Sequence, residues 1–301
     1  KLGTVPFLDF KSMLKAAPAL AKKQAYRSVY SMVSSFVENE KLREALSFHT
    51  LLVGGNPMKT SSIYALIHKL EMDGGVWWTK GGTNRLIAGM VRHFERLGGT
   101  MRVGDPVVGI DVDGKRAKSV MTQSGFVQGF DAIASNADIM HSYRDLLGRS
   151  QRGWSMGRRL KRKSYSPGLF VVHFGLEGTW PGIAHHMILF GPRYKGLLED
   201  IYDHGVLPED FSIYLHHPSK SDPSMAPPGM STFYALVPVA HQGKLPVDWD
   251  EIGPLLEKRI LDEVGKRLVP DIHSRIVTKF HYAPSDFSHD LNAHLGSAFS
   301  L

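Results

Sequence analysis

The apolar residues of this chain change period once, and that change limits what the chain can fold into. Over residues 83–97, Leu86, Met90, Val91, Phe94 and Leu97 fall at helical spacing, and Gly98-Gly99 stand where a helix C-cap belongs. Beyond those glycines the period is two. Residues 101–103, 107–113, 117–122 and 126–130 read as short strands, with Asp113-Gly114 and Ser124-Gly125 supplying the tight turns between them. Residues 131–135 read as one more strand, closing on Asn136-Ala137-Asp138.

Helices come first. Residues 10–30 read as a helix broken at Pro18, residues 29–51 as a second with Glu38, Glu40, Lys41, Arg43 and Glu44 on its wet side, and residues 61–71 as a third. Gly54-Gly55-Asn56-Pro57 and Gly74-Gly75 end the latter two. After Ser166 the pattern is strand-rich, at 169–176, 186–190, 211–217, 232–239 and 276–282. One long helix interrupts it, with Ile252, Leu255, Leu256, Ile260, Val264 and Leu268 as its apolar stripe. The fold class is therefore mixed α/β of the α+β kind, its second lobe a mostly antiparallel sheet with helices to one side.

Composition excludes several functions. The chain has no cysteine, so disulfides and thiolate metal sites are out. Its net charge of +7 favours anionic surfaces, yet no nucleic-acid-binding signature accompanies it. The longest uncharged stretch, 224–243, is cut by Pro227, Pro228, Gly229 and Pro238, so bilayer contact is expected to be peripheral. No signal peptide is read from Lys1 onward. No G-x-G-x-x-G follows a strand, and H-E-x-x-H, Walker and G-x-S-x-G motifs are missing. His185-His186 and His216-His217 are adjacent pairs; neighbours on a strand point to opposite faces, so no shared metal is expected.

Five runs in order carry a resemblance. Leu46-Ser47-Phe48-His49 through Gly54-Gly55-Asn56-Pro57, then Gly75-Val76-Trp77 with Gly81-Gly82, then Ser135-Asn136-Ala137-Asp138, Phe190-Gly191-Pro192-Arg193-Tyr194 and Gly296-Ser297-Ala298-Phe299-Ser300 are similar to the bacterial-type phytoene desaturases. These are amine-oxidase-like flavoproteins. The resemblance spans essentially all 301 residues and implies an internal portion of such a protein, without the glycine fingerprint and the glycine-rich C-terminal motif that hold most of the FAD.

It also implies a fold and roles. The expected parts are a helical substrate- and membrane-facing region (1–75), part of a Rossmann-like FAD-binding domain with a β-meander (76–145) and a substrate domain (146–301). Val107 matches the valine whose backbone meets adenine, or is an ordinary strand valine. Asn136 and Asp138 sit where a switch-point crevice collects ligands, or form an Asx turn. Gly81 and Gly82 let backbone approach a cofactor, or simply start a helix. Glu71 is the candidate carboxylate near the reacting carbons, otherwise a solvated helix-end residue. His185, His186, Arg193 and Tyr194 fall in the lobe that holds the isoprenoid tunnel, with Arg193 a second catalytic candidate or a loop pin. Trp77, Trp78, Phe170, Phe174, Phe190, Tyr214 and Tyr234 line the tunnel or belong to the core.

The implied activity is oxidation of CH–CH groups of phytoene toward neurosporene or lycopene, FAD taking the hydride and a quinone or oxygen reoxidising it. This portion alone is expected to be inactive. Relatives acting on another carotenoid, an isomerase, and a non-catalytic isoprenoid-binding membrane module are the alternatives. Lys11, Lys15 and Lys22 oppose Phe10, Met13, Leu14, Ala17 and Leu20 on a helical wheel, the signature of an interfacial anchor. The expected location is the cytoplasmic side of the bacterial membrane.

Overall fold

A computed structural model describes residues 10–301, apart from the Lys11 side chain. The chain divides into two compact units, Lys1–Trp77 and Trp78–Leu301.

The first unit is helical: α1 (Phe10–Lys22), α2 (Val29–Ser34), α3 (Glu40–Ser47) and α4 (Leu66–Gly74), with 3-10 turns at Phe48–Val53 and Ser62–Ala65. The single helix expected over 29–51 is three pieces. Asn39 restarts the chain as an N-cap, its side chain accepting from the Leu42 N–H at 3.2 Å, as Ser28 does for Ser31 ahead of α2. Gly54 closes the 3-10 turn with φ 73°, a left-handed value that favours glycine. Lys15 and Lys22 are exposed on α1, together with Phe10, Met13 and Leu14. The Lys11 side chain lies outside the description.

The second unit opens with α5 (Thr83–Arg96), followed by the meander β1 (Val107–Asp113), β2 (Arg116–Thr122) and β3 (Val127–Gly129), ordered β1-β2-β3 and antiparallel throughout. Residues 101–103 and 131–135 are not strands. Extended backbone becomes a strand only when it finds a ladder partner, and neither segment has one among the described residues. After a π-helical turn at His141–Leu146 come α6 (Gln151–Leu160), β4 (Gly168–Glu177), β5 (His186–Leu189), α7 (Tyr194–Glu199), β6 (Ile213–His216), β7 (Met230–Val239), α8 (Trp249–Arg267), α9 (Ile272–Arg275), β8 (Ile276–Tyr282) and α10 (Pro284–Leu291). The boundary expected at 145 falls inside this unit.

Its sheet runs β5-β6-β7-β4-β8, each neighbour antiparallel. Alternation gives the sheet two unlike faces. One carries Phe170, Val172, Phe174 and Leu176 of β4, Leu215 of β6 and Phe233, Ala235 and Val237 of β7. These join Trp249, Leu256, Ile260, Leu261 and Val264 of α8 in the core. Glu257 of α8 lies within that layer and is paired from β8 with Lys279 at 2.5 Å and hydrogen-bonded to His281 at 2.8 Å. A buried carboxylate without such partners would cost several kcal/mol.

Candidate functional site

The other face of this sheet carries the chemistry. Its register places His186, His216, Tyr234, His173 and Phe280 directly opposite one another across all five strands. Directly opposed side chains share a face, so the rings form an unbroken row. Successive centroids are 5.1, 4.6, 5.5 and 4.7 Å apart. Ile188, Tyr214, Leu236, Val171 and Tyr282 form the next row on that face.

Polar tips in the row are wired together. His186 Nδ1 lies 2.6 Å from the Tyr214 hydroxyl, and the Tyr214 ring meets that of Tyr234 edge-on at 5.7 Å. Burial pushes both phenols up, and they stay protonated at any ordinary pH. His185 folds over the row's end: its Nδ1 lies 2.7 Å from the Ser221 hydroxyl and its Nε2 2.9 Å from His216 Nε2. Burial, reinforced by the other histidines, holds His216 down at about 4. Burial likewise lowers His173 and His185, so these two and His216 are neutral at pH 7.

The expectation that paired histidines diverge holds for one pair only. His217 does turn to the core face, stacking on Phe233 at 4.2 Å. His185, however, precedes β5 and escapes the strand's alternation, so its ring lies 4.4 Å from that of His186.

Gly81 and Gly82 form the turn ahead of α5, with φ of 83° and 82°. Their N–H groups are already used: Gly81 donates to Asp222 Oδ2 at 2.5 Å and Gly82 to the Thr79 carbonyl at 2.8 Å. A Cβ on Gly82 would sit 3.2 Å from the Met225 methyl, so packing and φ together demand glycine there. The same Asp222 oxygen accepts from the Trp78 indole at 3.3 Å, while Oδ1 takes the Ser224 N–H at 3.2 Å and hydroxyl at 2.6 Å. The Trp78 ring in turn packs on His185 and His216 at 4.8 and 5.5 Å. Asp222 thus ties the glycine turn to the histidine row.

Other candidates lie elsewhere. Phe170 is fully buried on the helix-packed face, against Trp249 and His281, because its parity on β4 is opposite to that of His173. Tyr194 is buried at the start of α7 and meets Phe190 edge-on at 5.8 Å. Arg193 clamps a loop instead, bound to Asp210 at 2.5 and 3.1 Å and to Asp200 at 3.0 Å. Asp138 caps the turn after it through the Met140 and His141 N–H groups and accepts from the Ser300 hydroxyl. Asn136 is exposed beside it. In the first unit, Trp77 is exposed, its indole donating to the Gly74 carbonyl at 2.8 Å. Glu71 there is 3.2 Å from His49 Nε2, with the His68 ring 4.9 Å from that of His49.

His173, Phe280 and Asp222 are not singled out by the sequence, and His216 only as half of an adjacent pair. Parity within residues 169–176 separates Leu169, Val171 and His173 from Phe170, Val172 and Phe174, but the row appears only once strands far apart in sequence are put in register.

For a flavin, the chain offers limited purchase. Val107 begins β1, an edge strand whose outer backbone has no partner strand among the described residues, which suits backbone contact with a purine. The glycine pair has no spare donors for a phosphate, and the carboxylate of Asp138 is spent on its cap.

Comparison with known proteins places this arrangement. Over all 301 residues the chain is 55% identical to a lycopene-forming phytoene desaturase of a Paracoccus species and 47% identical to one from Pantoea ananas. It is 39% identical over 293 residues, 96% of the chain, to a neurosporene-forming phytoene desaturase of Cereibacter sphaeroides. It spans 60, 61 and 56% of those proteins' lengths. Among solved structures, an oxidoreductase from Methanosarcina mazei superposes with a TM-score of 0.58 at 16% identity, over 92% of this chain and 62% of that one. A putrescine oxidase variant reaches 0.51 at 14% identity, over 87 and 54%. The fold is that of these oxidoreductases. With residues 4–293 matching the family's own sequence pattern, the chain, meander and two-faced sheet included, belongs to the flavin containing amine oxidoreductases.

Proposed function

We propose that this chain contributes the substrate-facing part of an FAD-dependent phytoene desaturase. The observation that carries the reading is the uninterrupted similarity to such enzymes over every residue, with a continuous aromatic row on the sheet face away from the helices. Phytoene has no polar handle, so the protein's work is to orient the hydrocarbon and exclude water. Rings in close file present an apolar contact surface for a long chain, and their tips can carry away the proton that desaturation releases. Bound FAD would supply the hydride acceptor, with backbone near Val107 toward its adenine. Two acceptors are open for the proton: the neutral His185–His216 pair, and Glu71.

The test is the chain completed with the flanking segments of the Paracoccus relative. It is expected to turn phytoene into coloured polyenes without soluble nicotinamide, a quinone or oxygen reoxidising the flavin. Replacing the true acceptor, by His185→Gln or Glu71→Gln, should lower the rate by about 10² to 10⁴ while flavin content stays normal. A completed protein that holds flavin and takes up phytoene but forms no product under several electron acceptors overturns the reading.

A hydrocarbon substrate also calls for a peripheral place on the membrane. No helix among the described residues is long and apolar enough to cross one. Charge points to a surface. Seven of the 36 Lys and Arg residues, namely Arg149, Arg152, Arg158, Arg159, Lys161, Arg162 and Lys163, lie in one fifteen-residue segment around α6 that has no acid, and the remaining 29 are matched by 29 Asp and Glu. All seven are exposed and none has an ion-pair partner among the described residues, while Trp154 is exposed on the same helix. Vesicle binding should therefore need anionic lipid and weaken with salt. Changing Arg152, Arg159 and Arg162 to Gln removes roughly 1 kcal/mol each, about a hundredfold in all. If the triple variant cosediments like the parent and only Lys15→Gln with Lys22→Gln weakens binding, α1 is the anchor instead.

A further inference from the structure

We propose that His185, His186 and His216 bind one borderline divalent transition-metal ion, such as Zn²⁺, Co²⁺ or Ni²⁺. The inference rests on the side chains alone and excludes one branch of the desaturase reading, since nitrogens that ligate a metal cannot take up the released proton, which leaves Glu71 as its acceptor. One ring nitrogen from each of the three lies within 4.8 Å of the others. Two imidazole nitrogens facing each other at 2.9 Å must share a proton or aim both lone pairs at one spot, and a cation satisfies the second arrangement. Metal–nitrogen bonds of about 2.0–2.1 Å ask for nitrogens roughly 3.0–3.4 Å apart; the His185–His216 pair already stands near that spacing at 2.9 Å, and His186, within 4.8 Å, must close on it.

Two of the three rings have the surroundings that such ligands require. A ligating histidine is usually held by a hydrogen bond at its other nitrogen, which fixes ring and tautomer. His185 has Ser221 in that place at 2.7 Å and His186 has Tyr214 at 2.6 Å. The third ring, His216, is buried, and its Nδ1 has no hydrogen-bond partner among the described residues. Trp78 packs beside His185 and His216, while exposed His186 leaves a way in from solvent. The donors decide the metal class. Three imidazoles with no carboxylate suit borderline ions and not Mg²⁺ or Ca²⁺, which prefer oxygen. Three protein ligands also leave one position of a tetrahedral ion open.

The experiment is equilibrium dialysis of the tag-free 301-residue chain against Zn²⁺, with Co²⁺ substitution read by its visible absorption. One equivalent per chain is expected, with a tetrahedral Co²⁺ spectrum. His186→Gln, at an exposed position, should abolish stoichiometric binding with the circular dichroism spectrum unchanged. Tyr214→Phe should weaken binding by about 10- to 100-fold, as loss of an orienting partner does. The first unit holds a second cluster, His49, His68 and Glu71, so Glu71→Gln is the control and should leave the stoichiometry intact. No binding above background, binding that survives His185→Gln with His186→Gln, or binding lost only in Glu71→Gln overturns the proposal.

Discussion

Replacing Asp222 by Asn is expected to destabilise the protein almost as much as replacing it by Ala, lowering Tm by on the order of 10 °C. Each carboxylate oxygen accepts from two donors, Gly81 and Trp78 on one side and both Ser224 groups on the other. An amide supplies one acceptor only. Turned toward Gly81 and Trp78, the Asn NH₂ opposes two N–H groups that can only donate; turned toward Ser224, whose hydroxyl can rotate to accept, it still opposes the Ser224 N–H, so hydrogen bonds become repulsive contacts either way. These donors, the Gly81 N–H foremost, hold the carboxyl well below the usual carboxylate range. The bonds are therefore present above pH 4 and lost only as the pH falls further. Thermal melts of the two variants at pH 7 check this, and a Tm for Asp222→Asn within 2 °C of the parent would sink it. Loss of the tie should also free Trp78 from the histidines, giving a red-shifted tryptophan emission.

Acidification from pH 6.5 to pH 4 is expected to cost even more. Burial lowers His49, His173, His185, His216, His217, His241 and His294 below their ordinary value, His216 to about 4. In the unfolded chain these groups take up protons near pH 6.5, while the folded state resists until lower pH. The unfolded state binds more protons in that window, so stability is complete above it and falls as pH drops through it. A shift as large as that of His216 represents about 3 kcal/mol, which partial solvent access reduces to roughly 2. The other six groups shift in the same direction, so their contributions add to this one against a margin of about 5–15 kcal/mol typical of a domain. Urea midpoints measured from pH 8 to pH 4 should be level above pH 7 and then decline steeply. A level profile down to pH 5 would show that the cluster takes up protons without resistance from the fold.

The sequence makes the individual elements readable and leaves their partners hidden. α5, α8 and strands β4, β7 and β8 follow from period alone, although only α8, β4 and β7 bury a face, and α5 and β8 have no fully buried residue. The break between α2 and α3 was invisible to periodicity because a single polar cap, Asn39, decides it. Residues 101–103 and 131–135 show the converse: strand-forming composition without a ladder stays irregular. The site was half legible. Tyr214 and Tyr234 stand out as aromatics in strands, and His185 and His186 as a pair, but only cross-strand register reveals that His173 and Phe280 complete their row. Of its two readings Phe170 takes the core one, and alternation could not choose between them because it says that a strand has two sides and is silent on which one a distant helix will cover.

The central place of β4 in its sheet bears on how the protein is made. Both of its neighbours come later in the chain, β7 after 52 intervening residues and β8 after 98. At a synthesis rate of about 5–20 residues per second, β4 waits roughly 3–10 s for its first partner and 5–20 s for its second. Until β7 emerges, Phe170, Val172, Phe174 and Leu176 have no strand partner to pair with, and α8, which covers them, has not been made. A nascent chain in this condition invites self-association, and the ribosome-bound intermediate ending near residue 230 is the species on which a cell's chaperones would act.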